Sequence, residues 1–427
     1  MTNLSRLSLL SLLFVVLLAV HLWFLFAVQL PHREQKGEAY PGTGAFHIKL
    51  LGDEGQFALM AYHLNQGGVY SLDGRTPTAL RMPLFPLAAA AVFRLSGNNA
   101  LYVIIFNCLV AALAALAAYR LCTLFWSPEV GLAAMAVVGL SPYTFDCFVN
   151  FCCEPLFTVL VTLSVILLVL MTRRGSARYA ALGGLATGAA ALTRAEGALL
   201  IPVYFSYLAY LYLFRGQKTL SISLVFLALA LAALAPWVIR NHYSLGYWGL
   251  STMSGRVFSG AHNRRLLDRH PGSWGHFRTY APEEEQQAVK GLSEVQFNRY
   301  LWQRGLSTLK AYPLSHLLRL EAMKLFNTFK PSYRIFPKGY HEGLNFLLTA
   351  PYFLLYLSFL VFLGQTLRSP GRVLLLPLVV PVVTSLVFWG TIRWRVPYEP
   401  VIFSLALASW FHFLRPRVAL RGGGKGL

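Results

Sequence analysis

Acidic residues are scarce in this chain. Only 17 Asp and Glu stand against 37 Lys and Arg in 427 residues, and charged residues of both signs make up 13%. Soluble globular domains carry about 25%, so the deficit argues against an ordinary water-soluble domain. Cysteine is sparse as well. Cys108 and Cys122 lie inside apolar runs, and Cys147, Cys152 and Cys153 cluster. No Cys-x-x-Cys pair has a second half, so spacing gives no zinc site, and the thiols read as small buried hydrophobes. His21, His47, His63, His242, His262 and His276 show no metal-ligand spacing, and no His-Glu-x-x-His is present. The sequence therefore names no metal ligand and no cofactor, while leaving a divalent metal open. A Walker loop and a dinucleotide fingerprint are also missing, which argues against a cytoplasmic nucleotide site.

Long apolar runs are what the chain has instead. Hydrophobic residues reach 56%, and the mean hydropathy is +0.53. Runs long enough for spans fall near 7–29, 99–125, 129–146, 153–172, 178–193, 196–214, 219–239, 345–367, 371–390 and 397–414. The run at 82–95 is shorter and opens with Pro83 and Pro86, as a half-inserted or interfacial helix would. This predicts an all-α polytopic membrane protein with about 10–11 transmembrane helices, juxtamembrane helices and a non-cytoplasmic loop domain. The first run, Leu7 to Val28, is too long for a signal h-region and lacks a small-residue cleavage site, so it reads as a retained helix.

The net charge of +20 does not point to nucleic acid, because the basic residues are scattered between apolar spans rather than gathered in a stripe. They fit orientation in an anionic membrane better. With the N-terminus in the cytoplasm, the inside loops hold Arg6, Arg120, Arg173, Arg174, Arg178, Arg215, Lys218, Arg368, Arg372 and the tail Arg415, Arg417, Arg421 and Lys425. Their only acid is Glu129. Both termini then come out cytoplasmic. The chain divides into residues 1–240, with a first outside loop at 31–81; an outside helical segment at 241–344; and a membrane region at 345–427 with a basic tail. Within the middle segment, Pro282-Glu283-Glu284-Glu285 reads as a helix start. Ser293-Glu294-Val295-Gln296 reads as a capping box, and Leu314 to Phe329 as a helix lying on the membrane.

The few acids are not spread evenly. Gly52-Asp53-Glu54-Gly55 places two carboxylates side by side just after the first span. A carboxylate is a suitable general base for transfer to a hydroxyl, and flanking glycines let a backbone approach a substrate closely. The other polar groups at outside span ends are Arg81, Asp146, Glu154, Arg194, Glu196, Arg240, Asn241, Arg393 and Arg395. Arginine in short outside loops runs against the positive-inside tendency. Ionisable groups at membrane depth are costly and often functional. An arginine set around a carboxylate pair suits an anionic phosphate lipid, since guanidinium matches phosphate oxygens bidentately.

The motifs resemble a known family. They are Gly52-Asp53-Glu54; Arg81-Met82-Pro83-Leu84-Phe85-Pro86-Leu87; Glu154-Pro155-Leu156-Phe157; Gly188 through Gly197, with Leu192-Thr193-Arg194-Ala195-Glu196 inside it; Pro236-Trp237-Val238-Ile239-Arg240-Asn241; and Arg393-Trp394-Arg395-Val396-Pro397-Tyr398-Glu399-Pro400. In order and placement the chain resembles the bacterial C-type, multispanning glycosyltransferases of the protein O-mannosyltransferase and aminoarabinose-transferase group. The resemblance implies a polyprenyl-phosphate-linked sugar as donor and transfer with inversion on the periplasmic side of a bacterial inner membrane. It implies Asp53 as base and Glu54 as its acceptor-side neighbour. The donor phosphate then falls to Arg194, Arg240, Arg393 and Arg395, and a secondary or acceptor site to Arg81, Glu154, Glu196 and Asn241. The acceptor is a glycan, lipid or protein that the motifs do not specify. The segment Leu250 to Arg256 matches the family's Gly/Asn-rich loop only loosely. Two rivals remain at this point: a lipid-linked sugar transporter or flippase, which calls for midplane charges and repeated broken helices, and a non-catalytic envelope glycan assembly protein.

Overall fold

A computed structural model of the chain describes residues 3–36, 48–50, 52–142, 144–263, 275–276, 290–330 and 342–414. Helix is the dominant element, and no strand occurs among the described residues; one isolated bridge joins Ser71 to Pro77. Helix α1 (Asn3–Phe24) runs through a π-helical turn at Leu25–Gln29 into α2 (Leu30–Lys36). Then follow α3 (Glu54–Gly67), α4 (Leu84–Ser96), α5 (Ala100–Thr123), α6 (Pro128–Gly139), α7 (Glu154–Arg174), α8 (Ala177–Thr193), α9 (Leu200–Arg215) and α10 (Leu220–Leu245). Short α11 (Ser254–Ala261), α12 (Glu294–Ala311) and α13 (Leu314–Phe329) come next. The last group is α14 (Glu342–Val361), α15 (Leu363–Arg368), α16 (Val379–Val387), α17 (Ile392–Arg395) and α18 (Glu399–Leu414).

Local chemistry sets many of these ends. Asn99 caps α5 by accepting from the Leu101 N–H at 3.0 Å, and Pro128 and Pro155 open α6 and α7 where no N–H is needed. The Ser293 capping box forms as its sequence predicts: the Ser293 hydroxyl accepts from Gln296 N–H at 3.3 Å, and the Gln296 carbonyl accepts from Ser293 N–H at 2.9 Å. The helix start expected at Pro282 lies outside the described residues.

Among the described residues, five stretches are long and apolar enough to cross a bilayer: Ser5–Glu34, Ala100–Thr123, Glu154–Arg174, Ala195–Arg215 and Leu220–Leu245. The other apolar runs form shorter helices. Each is cut short by its own sequence. Helix α6 stops before Ser141-Pro142, and the 371–390 run opens as a 3-10 helix, Pro370–Leu378, before nine α-helical residues. The 82–95 run becomes α4, 13 residues long and closed by Gly97 in the left-handed conformation.

Packing follows membrane rules. Helix α10 buries Ile222, Phe226, Ala230, Leu234 and Trp237 and turns Leu220, Leu224, Leu231 and Ile239 outward. Small residues let helices approach where no hydrophobic drive exists between them. At Gly188 of α8 a Cβ would meet Ala230 O of α10 at 2.9 Å, so only glycine fits there. Helix α13 buries Lys324, Asn327 and Thr328 together with Leu320 and exposes Leu314, Leu318 and Phe326. Glu294, in the first turn of α12, accepts from Thr78 Oγ1 at 2.6 Å and Ala79 N–H at 2.9 Å, and also bonds Thr252 Oγ1. This carboxylate ties α12 to the segment between α3 and α4.

Candidate active site

Asp53 sits at the N-cap position of α3, preceded by Gly52 at φ +51°, a left-handed conformation that favours glycine. Its carboxylate therefore stands at the positive end of a helix dipole. Two arginines reach it. Arg81 Nη2 lies 2.7 Å from Oδ1, and Arg393 Nη1 lies 3.2 Å from Oδ2. Arg81 is itself held by Gln56, whose Oε1 accepts from Nε at 2.9 Å, and by the Phe57 ring, 5.2 Å from its guanidinium carbon.

Behind Arg393 lies Glu154, the first residue of α7 and fully buried. Its Oε1 accepts from Arg393 Nε and, at 2.5 Å, from Arg194 Nη1. Arg194 donates its Nε to Glu196. The result is a continuous chain, Asp53–Arg393–Glu154–Arg194–Glu196, in which three carboxylates and three guanidiniums, counting Arg81, balance in charge. Burying charge is tolerable only with such pairing. Arg194 and Arg393 each spend Nε and Nη1 on protein partners. Their Nη2 groups carry no hydrogen bond among the described residues.

These groups meet at a cavity of about 550 Å³, lined by Asp53, Arg81, Arg194, Glu196, Arg393 and the rings of Tyr247, Phe388, Trp389 and Trp394. Trp394 lies 5.2 Å under the Arg194 guanidinium. Burial pushes the Asp53 carboxyl up, but the Arg81 and Arg393 charges and the Arg393 hydrogen bond outweigh it, so its pKa falls below the ordinary value. Asp53 is thus ionised at neutral pH. The Glu154 charge, outweighing burial, holds Arg393 well above its ordinary value, so it stays a cation.

Not every residue singled out in the sequence reaches the cavity. Glu54 is 6% exposed and turned away. It takes two bonds from Arg33, at 2.6 and 2.7 Å, and accepts from Phe151 N–H at 3.0 Å. Adjacent residues on a helix point about 100° apart, so Asp53 and Glu54 diverge. Arg393 and Arg395, two positions apart on α17, point about 200° apart by the same rotation. Arg395 is fully buried, 3.5 Å from Glu399, bonded to the Phe329 and Lys330 carbonyls, and packed 4.3 Å over the Tyr356 ring. Arg240 donates to Thr78 O at 2.7 Å and Tyr70 O at 3.2 Å, and so braces the segment between α3 and α4. Asn241 is buried and donates to Gly249 O at 2.9 Å. The Asp146 side chain lies outside what is described. Sequence reasoning passed over Arg33, whose only signal was its position as a lone arginine at the end of the first span. It also passed over Trp389, hidden among other aromatics, and gave Trp394 no role beyond its place in the Arg393-to-Pro400 motif.

Part of the chain matches a family model, and the chain as a whole shares its fold with solved membrane-protein structures. Residues 77–239 match the family model described as dolichyl-phosphate-mannose-protein mannosyltransferase. That stretch covers α4 through most of α10 and includes Arg81, Glu154, Arg194 and Glu196. The apo oligosaccharyltransferase of Archaeoglobus fulgidus has the same fold, with a TM-score of 0.56 at 13% identity over 97% of this chain and 51% of that one. The same archaeal protein in complex with an inhibitory peptide and a dolichol-phosphate gives 0.52 at 13%, over 100% and 53%. ArnT from Cupriavidus metallidurans bound to undecaprenyl phosphate aligns at 0.40 and 13% identity, over 92% and 77%. The chain spans about half the length of the archaeal structures it matches. No curated protein matches it in sequence.

Proposed function

We propose that the chain is an integral membrane glycosyltransferase that moves a sugar from a polyprenyl-phosphate donor to an acceptor hydroxyl. The observation that carries this reading is the arrangement at the cavity. One ionised carboxylate, Asp53, lines the same cavity as Arg194 and Arg393, whose Nη2 groups carry no hydrogen bond among the described residues. The family match over residues 77–239 supports the donor class.

In this reading Asp53 takes the proton of the acceptor O–H. The acceptor oxygen forms its bond to the anomeric carbon while the bond from that carbon to the phosphate oxygen breaks. The electron pair leaves with the phosphate, and the anomeric centre inverts. The leaving phosphate gains negative charge, and fixed guanidinium donors aimed at it stabilise that charge without reorganising. We assign the donor phosphate to Arg194 and Arg393, with Arg81 at the Asp53 side. Glu154 and Glu196 hold the arginines in place. Glu54, Arg240, Asn241 and Arg395 support the walls rather than touch substrate. The reaction belongs to the non-cytoplasmic face of the membrane, with both chain termini cytoplasmic, as the charge distribution between loops implies.

The test is direct. Purified protein is given a polyprenyl-phosphate sugar and scored for release of polyprenyl phosphate. Donor-dependent release by the wild type and its loss in Asp53→Asn support the proposal. No release with any donor in a panel of hexosyl, pentosyl and aminosugar polyprenyl phosphates removes it.

A further inference from the structure

A second cavity, of about 580 Å³, lies at the opposite end of the helix bundle. Helix α7 connects the two levels. It begins at Glu154 in the first site and ends beside the second, where Arg173 donates to Leu124 O at 2.6 Å and covers the Phe125 ring at 4.5 Å. At 1.5 Å per residue its 21 residues span about 30 Å, close to the hydrocarbon thickness of a bilayer. The second cavity therefore sits at the other membrane surface, at headgroup level.

Its walls combine three chemistries. Phe125, Trp126 and Phe411 give an aromatic face. Thr366, Ser369 and Ser409 give hydroxyls. Arg368, at the end of α15, gives a cation. Arg368 makes no ion pair or hydrogen bond among the described residues, and neither does the Trp126 indole N–H. Among the described residues no carboxylate lines the cavity. The nearest acid in sequence, Glu129, is in the first turn of α6, where it bonds Ser127 and feels the charge of Arg6. The surrounding surface is basic, with Arg120, Arg173 and Arg174 at the ends of α5 and α7. Donors without a competing anion, beside aromatics at an interface, match a phosphate group whose acyl chains remain in the membrane.

We propose that this cavity binds the phosphate headgroup of an anionic phospholipid in the leaflet opposite the Asp53 site. Arg368 pairs with the phosphate, the Trp126 N–H donates to a headgroup oxygen, the Thr366, Ser369 and Ser409 oxygens, whose protons go to backbone carbonyls, accept from headgroup hydroxyls, and Phe125 and Phe411 flank the first methylenes. The proposal rests on the membrane placement of the helices and not on the transfer reaction.

Native mass spectrometry of the full chain, titrated with phosphatidylglycerol or phosphatidylcholine, tests it. The wild type retains phosphatidylglycerol in preference to phosphatidylcholine. Arg368→Gln weakens phosphatidylglycerol retention by roughly tenfold, the low end for loss of a hydrogen bond to a charged group. Ser409→Phe, which fills the cavity and leaves the charge, weakens it as well. Arg215→Gln, an exposed arginine outside the cavity, changes little. Equal retention of the two lipids, or of phosphatidylglycerol by wild type and Arg368→Gln, overturns the proposal. An equal loss in Arg215→Gln overturns it too, because a diffuse basic surface then accounts for the attraction. A last arm adds inorganic phosphate. If millimolar phosphate displaces the lipid completely, the cavity is a free-anion site and the lipid assignment fails.

Discussion

Replacing Asp53 by Asn is expected to split the kinetics rather than simply abolish them. The amide keeps size and an acceptor oxygen but cannot take a proton at neutral pH. Loss of a general base costs about 10²–10⁴-fold in the chemical step. The second effect comes from the arginines. Asp53 neutralises Arg81 at 2.7 Å and Arg393 at 3.2 Å. Removing it leaves the balanced cluster with one net positive charge beside the presumed phosphate position. At about 5 Å and an effective dielectric near 20 one charge is worth about 3 kcal/mol. The Asp53 side chain is 41% exposed, and exposed pairs deliver well under that, so a gain of about 1 kcal/mol, or roughly fivefold, is expected for an anionic donor. The assay is turnover of a polyprenyl-phosphate sugar together with direct donor binding to detergent-solubilised protein. Turnover should fall by two or more decades while donor affinity holds or rises. Turnover within threefold of wild type refutes Asp53 as the base. A parallel loss of binding refutes the claim that it competes with the donor for arginine.

Four further outcomes are expected. Because the arginines depress the Asp53 pKa, its anion persists below the ordinary carboxylate range, and the acid limb of kcat/KM should lie below about pH 3.9; Arg393→Gln should move that limb upward, and an unmoved limb means another group is being read. Glu154→Gln leaves the buried Arg194 and Arg393 without their shared anion, so stability should drop by about 3 kcal/mol, seen as a lower midpoint in thermal unfolding; an unchanged midpoint would show that the pairing is not what holds the arginines. Arg→Lys at 194 or 393 should weaken donor binding several-fold, since lysine lacks the planar fork, whereas Arg240→Lys, which keeps a donor for the Thr78 carbonyl, should bind donor within twofold of wild type; equal effects at all three positions contradict the assignment. A cysteine placed at Lys290 should react with an impermeant thiol reagent from outside intact cells and one at Arg178 should not, and the reverse pattern inverts the proposed topology.

The sequence by itself determined that this is an all-helical membrane protein, because apolar run length and scarcity of charge depend only on composition along the chain. It also determined which residues were candidates, since an arginine or carboxylate at a span end is legible as soon as the span is. Local signals carried the same weight: the Ser293 capping box forms because every atom it needs lies within four residues. The tertiary structure alone decided which candidates share a site. Asp53 and Arg393 are 340 residues apart and meet only because α3 and α17 end at one cavity. The sequence treated Asp53-Glu54 and Arg393-x-Arg395 as functional pairs. Helical rotation, about 100° for the first pair and about 200° for the second, separates each, sending Glu54 to Arg33 and Arg395 to Glu399. Which face a side chain takes depends on the rotation of its helix against its neighbours, and that is set by packing, of which spacing along the chain holds no record.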